Sequence, residues 1–434
     1  MSKYNDTIYA LSTPPGKSAI AIIRISGKGA IKALKKVSSI KKLKTNAANL
    51  LFIKNKKIII DQVVAVYYSA PKSFTGEDVI EINCHGGQAV ISKISTTLEK
   101  LGLRLAEPGE FTKRALLNNK IDLVKTESIA DIINAETEKQ REVAIKNLSG
   151  GLSNFIKEIN KSIAEVLANV EAIIDFSDED LPVGIIKKVK EQNKNIIKKI
   201  QVELRNANLS KPIRSGIKIA IIGKPNTGKS SFINFISKKN VAIVTDIPGT
   251  TTDLITSSID INGFKFTFVD TAGLRKHRNK IEKIGIQKTK EIIEKSDLNL
   301  IFLEKNEKNE KNKYNKIQKK LFIRSKSDKR KKAKNKTVHH NISSFTGEGV
   351  DLLLEEISKK TIKEVRNTPI LSRERHISIM NQVLKTLKSI KFNQNLDIVA
   401  YELRVALDLS MEINQKFDIE TILDIIFKDF CIGK

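Results

Sequence analysis

The sequence predicts a mixed α/β and α protein. An N-terminal α/β unit precedes a helical bundle, and a second α/β domain, built on a phosphate-binding loop, is inserted into that bundle. Three observations predict it. Short β-rich runs alternate with helical periodicity to about residue 118, apolar residues then recur every three or four positions to about residue 210, and a strand signal returns near residue 216 directly ahead of a glycine-rich motif. The chain has 434 residues; at roughly 150 residues per domain this suggests about three domains, and cores of that size need no disulfide staples.

The elements follow in order. AIAIIRISG and KIIIDQVVAVYY are strands, being rich in Ile, Val and Tyr, and VIEINCHGG is a third that ends at Gly86-Gly87. QAVISKISTTLEKLG has helical spacing. Beyond residue 119 the stripe of Ile129, Ile132 and Ile133, then Ile163, Val166, Leu167, Val170, Ile173 and Ile174, marks long amphipathic helices broken at DFSDEDLPVG. GIKIAIIG is again a strand, and SSIDI and FKFTFVD flank Asn262-Gly263 as a hairpin. The last segment is helical and too short to stand alone, so it is expected to pack on the earlier helices, with the α/β domain inserted between them.

Composition narrows the partners. The chain carries 77 basic and 49 acidic residues, a formal charge of +28, which suits nucleic acid or another anionic surface. Lys, Ile and Asn are enriched almost everywhere, however, so the excess reads equally well as compositional background. Two cysteines far apart, Cys84 and Cys431, argue against a secreted disulfide framework. No signal-like start and no membrane-spanning apolar run is evident, so a cytoplasmic protein of a reducing compartment is expected. The Lys/Asn-rich tract at 304–336 reads as a solvated loop and helix face, with an RNA contact as the alternative.

The motifs define a nucleotide site. GKPNTGKS, Gly223 to Ser230, fits GxxxxGK[ST], follows a strand and precedes an apolar helix. Backbone N–H groups through Asn226, Thr227 and Gly228 to the helix start at Ser231 would cradle phosphates, Lys229 would reach the β/γ oxygens, and Ser230 would hold Mg²⁺. TDIPGTTTD follows, with Thr245, Asp246, Ile247, Pro248 and Gly249 leading to Thr250 and Thr251, placed to sense Mg²⁺ and the γ-phosphate. In DTAGL, Asp270 can bind Mg²⁺ through water and, past Thr271 and Ala272, the Gly273 N–H can meet the γ-phosphate. LFIR leads into SKSD, where Lys326 and Asp328 fit the NKxD element whose aspartate accepts from the N1–H and N2–H₂ donors of guanine, which adenine lacks. Ser344 in ISSFTGEG would offer a backbone N–H near the guanine oxygen. In this order the elements specify GTP as substrate on a Ras-like domain; an ATPase or kinase would have no use for SKSD.

For hydrolysis, the position at which Ras-type proteins carry a water-orienting glutamine is Leu274 here. Water must be positioned from elsewhere, Glu282 being the nearest candidate carboxylate, or hydrolysis is very slow. A monovalent cation bound by oxygens of Asn226, Thr245, Ile247 and Thr250 could replace the charge of an arginine finger.

The sequence resembles the MnmE (TrmE) family of tRNA wobble-uridine-modifying GTPases. The match covers DTIYALSTPPG, IIRISG, SFTGEDVIEINCHGG, PGEFTKRALLNNKIDL, GKPNTGKSS, GTTTD, DTAGLR, RERH and the terminal FCIGK. The resemblance implies a folate-binding and dimerisation domain over 1–118, a helical domain built from 119–212 and 367–434, and an inserted GTPase domain over 213–366. It implies a constitutive homodimer that works in a heterotetramer-type complex with an FAD-dependent partner, MnmG (GidA). The pair would add an aminomethyl-type group to carbon 5 of the wobble uridine of tRNA, using a tetrahydrofolate one-carbon unit. It further implies that K⁺ is held by Asn226, Thr245, Ile247 and Thr250, that Glu282 organises the attacking water, and that Arg24, Glu81, Lys120 and Lys434 bind folate.

Read without the resemblance, Arg24 is a strand-end surface charge, Glu81 a solvated strand residue, His85 a satisfied βα-loop histidine and Cys431 a small buried hydrophobe. Departures from the family pattern set further expectations. Ser325 stands where asparagine ties the guanine loop to the phosphate loop, so that tie is expected to be lost and affinity to fall. Thr252 replaces an arginine, and Pro248 removes an N–H from the switch loop. The rivals are an Era-like GTP-dependent RNA-binding switch in ribosome assembly, which the HGG and PGEFTKRA segments disfavour, and a scaffold that binds GTP without useful hydrolysis.

Overall fold

The computed structural model describes residues 6–40, 42–175, 184–239, 255–271, 282–303, 312–329, 339–362, 368–414 and 433. The chain divides into two compact units, Met1–Ile133 with Asn147–Lys161 and Leu407–Lys434, and Asn134–Lys146 with Ser162–Ala406.

In the first unit a six-stranded sheet has the order β3-β4-β5-β2-β1-β6. Its strands are β1 (Ile8–Leu11), β2 (Ser18–Ser26), β3 (Ala48–Asn55), β4 (Ile58–Tyr68), β5 (Val79–Gly86) and β6 (Arg104–Leu105). Strand side chains alternate between faces. Ala21, Ile23 and Ile25 of β2 and Ile80, Ile82 and Cys84 of β5 therefore turn into one core with α1 (Ala30–Val37) and α2 (Gln88–Glu99). The intervening Arg24 and Glu81, cross-strand partners in register, share the other face.

Beside this sheet, α3 (Glu110–Leu117) buries a charge. Arg114 is fully buried and donates from Nη2 to Glu110 Oε1 at 2.8 Å and Asp6 Oδ1 at 2.8 Å, and from Nη1 to Glu77 Oε2 at 3.1 Å. Arg104 closes the network, reaching Glu110 Oε1 and Asp6 Oδ2, each at 2.7 Å. Burial pushes the Glu110 carboxyl upward, but hydrogen bonds from Arg104, the Glu107 amide and Arg114 outweigh it and hold the group below its ordinary value. Burial works against Asp6 too, and Arg104 and Arg114 hold it low.

The second unit holds a sheet of order β12-β11-β10-β7-β9-β8, formed by β7 (Ile217–Gly223), β8 (Ile255–Ile261), β9 (Phe264–Asp270), β10 (Leu298–Phe302), β11 (Lys320–Arg324) and β12 (His340–Asn341). All pairs are parallel except the β8–β9 hairpin. That hairpin turns at Asn262 (φ 55) and Gly263 (φ 82), where a two-residue turn needs positive φ at both positions. A parallel sheet is covered on both faces, and β7 shows it. Ile217, Ile219 and Ile221 pack into a core with Phe232, Phe266, Phe268 and Phe302, while Ala220 and Ile222 enter a second core with Ile301, Leu303 and Phe322.

After α3 the chain forms α4 (Leu123–Ile133), α5 (Glu138–Leu148), α6 (Gly151–Asp175), α7 (Ile185–Asn206) and α8 (Ser210–Ser215), and then α9 (Lys229–Lys239), α10 (Glu282–Lys295) and α11 (Val350–Thr361), which belong to this α/β part. The unit's long helix α7 (Ile185–Asn206) pairs with α12 (Glu374–Ser389): Asn193 Nδ2 donates to Leu387 O at 3.1 Å. Arg404, on α13 (Leu396–Met411), reaches Glu171 Oε1 at 2.6 Å. The C-terminal helices thus pack on earlier ones, as expected from their shortness. Among the described residues no helix is long and apolar enough to cross a membrane.

Removing the cation at the centre of a buried ionic network strands its carboxylates. Arg114→Met is expected to destabilise the first unit by about 3–5 kcal/mol, read as faster hydrogen exchange of the α3 amides. Glu110 and Asp6 have folded pKa values below their unfolded ones. Their stabilisation is complete above an unfolded value of about 4 and is lost as pH falls through the folded values. Acidification from pH 5 to 3 should lower the protection factors of the same amides, corrected for the pH dependence of intrinsic exchange, and less so in Arg114→Met.

Candidate functional site

The phosphate loop joins β7, a central strand of its sheet, to the first turn of α9. Its N–H groups are aimed outward only if its carbonyls are satisfied elsewhere, and side chains supply those partners. Thr227 Oγ1 donates to Lys224 O at 2.8 Å. Buried Lys229 donates from Nζ to Gly223 O at 3.0 Å and Lys224 O at 2.6 Å. Ser230 Oγ donates to Asp270 Oδ2 at 3.2 Å. Asp270 ends β9 as the register partner of Ile221, which is why it arrives beside the loop. A hydroxyl and a carboxylate side by side form a hard-oxygen pair, and Mg²⁺ takes only one or two protein oxygens beside phosphates and water. That donor set fits Mg²⁺, although no cluster of three metal-ligating side chains occurs among the described residues. Thr271 Oγ1 turns back to Ile221 O at 2.9 Å.

The other border of the cleft begins where β11 ends. Ser325 is buried and its Oγ donates to the Thr227 carbonyl, while Lys326, at φ 64, turns its Nζ onto Asn226 O at 2.9 Å. The expectation that serine here loses the tie between guanine loop and phosphate loop is therefore corrected. A shorter side chain suffices because the two backbones are close, and a Cβ on Gly228 would fall 2.5 Å from Ser325 Oγ. Asp328 lies in the short helical turn Ser327–Lys329, and Ser343 Oγ donates to its Oδ1 at 2.7 Å. Gly228, Ser231, Ser325, Lys326 and Asp328 line a cleft of about 380 Å³, together with Ser344 and Phe345. The tie through Ser325, the anchor Ser343 and the aromatic Phe345 were not singled out from sequence. The phenylalanine inside ISSFTGEG was the available signal.

Several predicted residues lie outside the described residues: Thr245, Asp246, Ile247, Pro248, Gly249, Thr250 and Thr251, then Thr252, Ala272, Gly273, Leu274, Cys431 and Lys434. Glu282 opens α10, but its side chain lies outside them as well.

In the first unit, Arg24 and Glu81 are brought together. Arg24 donates from Nε at 3.0 Å and Nη2 at 2.7 Å, both to Glu81 Oε1. Neither is a solvated surface charge: Arg24, two residues inside the end of β2, and Glu81, two inside the start of β5, are paired with side chains only 20% and 21% exposed. The Arg24 guanidinium lies 5.6 Å from the Phe111 ring centroid and donates from Nη1 to Gly433 O at 3.3 Å, so the residue before Lys434 reaches this pair. Lys120 is held by Pro71, its Nζ donating to that carbonyl at 2.8 Å. His85 belongs to β5 rather than to a loop; its side chain is exposed and its Nδ1 is 2.7 Å from Asp61 Oδ1. Burial, with Asp61 nearby, pushes the Cys84 thiol up to about 11, which leaves little thiolate at neutral pH.

Loss of the Ser325 hydroxyl would leave the Thr227 carbonyl without this partner. Ser325→Ala is expected to weaken GDP binding about fivefold, near 1 kcal/mol for one buried hydrogen bond, measured by calorimetric titration.

The chain matches the family described as MnmE helical domain over residues 123–431 and that described as GTP-binding protein TrmE N-terminus over residues 7–120. It is 40% identical over 455 residues to the tRNA modification GTPase MnmE of Fervidobacterium nodosum, covering 99% of this chain and 98% of that protein. The proteins of the same name from Thermotoga maritima and Aquifex aeolicus are each 37% identical, over 452 and 448 residues, covering 99% of this chain and 100% of theirs. With a phosphate loop whose cleft is bordered by the Asp328 turn, and with similarity along its length, the chain belongs to the MnmE family.

Proposed function

We propose that this protein is a potassium-dependent GTPase of tRNA modification. In this reading it acts with an FAD-dependent partner of the MnmG type to place an aminomethyl-type group on carbon 5 of the wobble uridine, with a tetrahydrofolate derivative as one-carbon source. The observation that carries the GTPase part is the single cleft bordered by Gly228 and Asp328, with Ser230 and Asp270 paired at the adjoining phosphate loop. The roles follow from chemistry. Asn226 to Ser231 offer N–H groups and Lys229 a cation to the phosphates, and Asp328 accepts from the guanine edge. Ser230 and Thr251 would hold Mg²⁺, which neutralises developing phosphate charge. Thr245, Asp246, Ile247, Pro248, Gly249 and Thr250 form the switch, and Asn226, Thr245, Ile247 and Thr250 supply oxygens to K⁺. Glu282 orients the attacking water in place of a glutamine, since Leu274 cannot.

The folate assignment draws support from the first unit. Arg24 spends both of its hydrogen bonds to Glu81 on Oε1, and Oε2 has no hydrogen-bond partner among the described residues. A pterin presents amide and amino donors that such a carboxylate oxygen accepts. The glutamate tail of a folate needs cations, which Lys120 and Lys434 would supply. In this reading residues 1–118 also carry the homodimer contact, 213–366 form the inserted GTPase domain, 119–212 with 367–434 form the helical domain, and the protein works in the cytoplasm.

The test compares GTP hydrolysis by the purified protein in potassium and sodium chloride at equal ionic strength, with ATP as control. Potassium should stimulate strongly and ATP should not turn over; equal slow rates in both salts would contradict the cation-driven reading. Glu282→Ala should keep nucleotide affinity while turnover falls by about 10²-fold or more, the scale of a lost positioned acid–base group. Unchanged turnover would remove Glu282 from the mechanism.

A further inference from the structure

We infer that Phe345 is a base-stacking residue of this chain's guanine site, covering one face of the purine that Asp328 holds, and that the neighbouring Ser344 hydroxyl gives the base a further hydrogen bond. The inference rests on the guanine-nucleotide reading above and adds side-chain contacts that the motif pattern does not specify.

Phe345 is 89% exposed, the most exposed large hydrophobic side chain among the described residues, yet it borders the cleft that contains Asp328. Its exposure does not come from a loose backbone. The Phe345 and Thr346 N–H groups donate to Ser343 Oγ at 3.3 and 3.2 Å, and that same hydroxyl donates to Asp328 Oδ1 at 2.7 Å. Ser343 N donates to Glu348 O at 2.9 Å and Gly347 N to Ser343 O at 2.8 Å. Beneath the turn, a Cβ on Gly347 would meet the Phe235 ring at 3.0 Å, so the loop is seated on α9. The ring is thus presented to solvent from a fixed turn whose anchor is the guanine-reading carboxylate itself.

An exposed aromatic beside a binding cleft recovers its solvation cost when a flat apolar partner covers it, and a purine is such a partner. A second observation points the same way. Ser344 Oγ is buried, lines the cleft and has no hydrogen-bond partner among the described residues. Buried polar atoms are nearly always paired, and guanine offers O6 and N7 as acceptors for a hydroxyl donor. Lys326, whose stem also lines the cleft while its ammonium is held by Asn226 O, restricts the base further.

The chain contains no tryptophan, so Phe345→Trp places a single reporter at the site. In the full-length protein, GDP should quench Phe345→Trp emission saturably, and inorganic pyrophosphate, which has no base, should not. By calorimetry Phe345→Ala should weaken GDP about tenfold, the lower end of base–aromatic stacking, and Phe345→Tyr should bind like the unaltered chain. Emission that GDP leaves unmoved while calorimetry records binding would overturn the inference. So would Phe345→Ala with unaltered GDP affinity, including the case in which it weakens only tRNA binding. Failure of the unaltered chain to bind GDP would overturn the guanine-site reading, and the stacking role with it.

Discussion

The junction of the phosphate loop with the turn that carries Asp328 is the constraint on which the site depends. A phosphate loop presents its N–H groups to a ligand and must dispose of its carbonyls within the protein. Here Lys229 takes the carbonyls of Gly223 and Lys224, Ser325 takes that of Thr227, and Lys326 takes that of Asn226. The last two donors come from the turn that also carries Asp328. The phosphate loop and the Asp328 turn are therefore fixed to each other by side chain–backbone bonds, which is preorganisation in the energetic sense. The parallel sheet makes the junction possible, because β10 lies between β7 and β11 and delivers both loops to the same ends of their strands.

The first unit follows the same logic with different chemistry. Its sheet turns aliphatic residues to one side, so that polar residues at alternate positions, Arg24 and Glu81, are displayed on the other. Behind them, Arg114 gathers Asp6 and Glu77 from distant parts of the chain and Glu110 from one turn earlier on its own helix. A buried guanidinium of this kind is stable only when its donors meet acceptors, which fixes α3 in place. Phe111 of that helix then lies against the Arg24 guanidinium, so the ionic network and the displayed pair are mechanically connected.

Much of this was legible in the sequence for identifiable reasons. β2, β4, β5, β7, β9 and β11 are dense in β-branched or aromatic residues, and the Asn262-Gly263 turn specifies its hairpin. β3 and β10 were harder to see. ANLLFIKN is interleaved with Asn and Lys, and LNLIF is a short buried run that periodicity cannot distinguish from helix. The motif residues told which chemistry to expect. They did not tell that Ser325 still reaches Thr227, because that depends on how closely two backbones approach at Gly228. Nor did sequence separate Arg24 and Glu81 from surface charges, since cross-strand register between residues 57 positions apart is a tertiary fact. The i,i+4 spacing of Glu110 and Arg114 among apolar neighbours was a readable hint of the buried network.

Asp328, tied through its own turn to the phosphate loop, is the group proposed to read the donor edge of guanine. Asp328→Asn tests this role most directly, by titrating the variant with guanosine and xanthosine nucleotides. The carboxylate accepts from guanine N1–H and N2–H₂, whereas an amide can accept from N1–H and donate to the oxygen that xanthine carries in place of the amino group. Preference should move from the guanosine to the xanthosine nucleotide, with phosphate binding retained. A variant that still prefers the guanosine nucleotide would contradict this role.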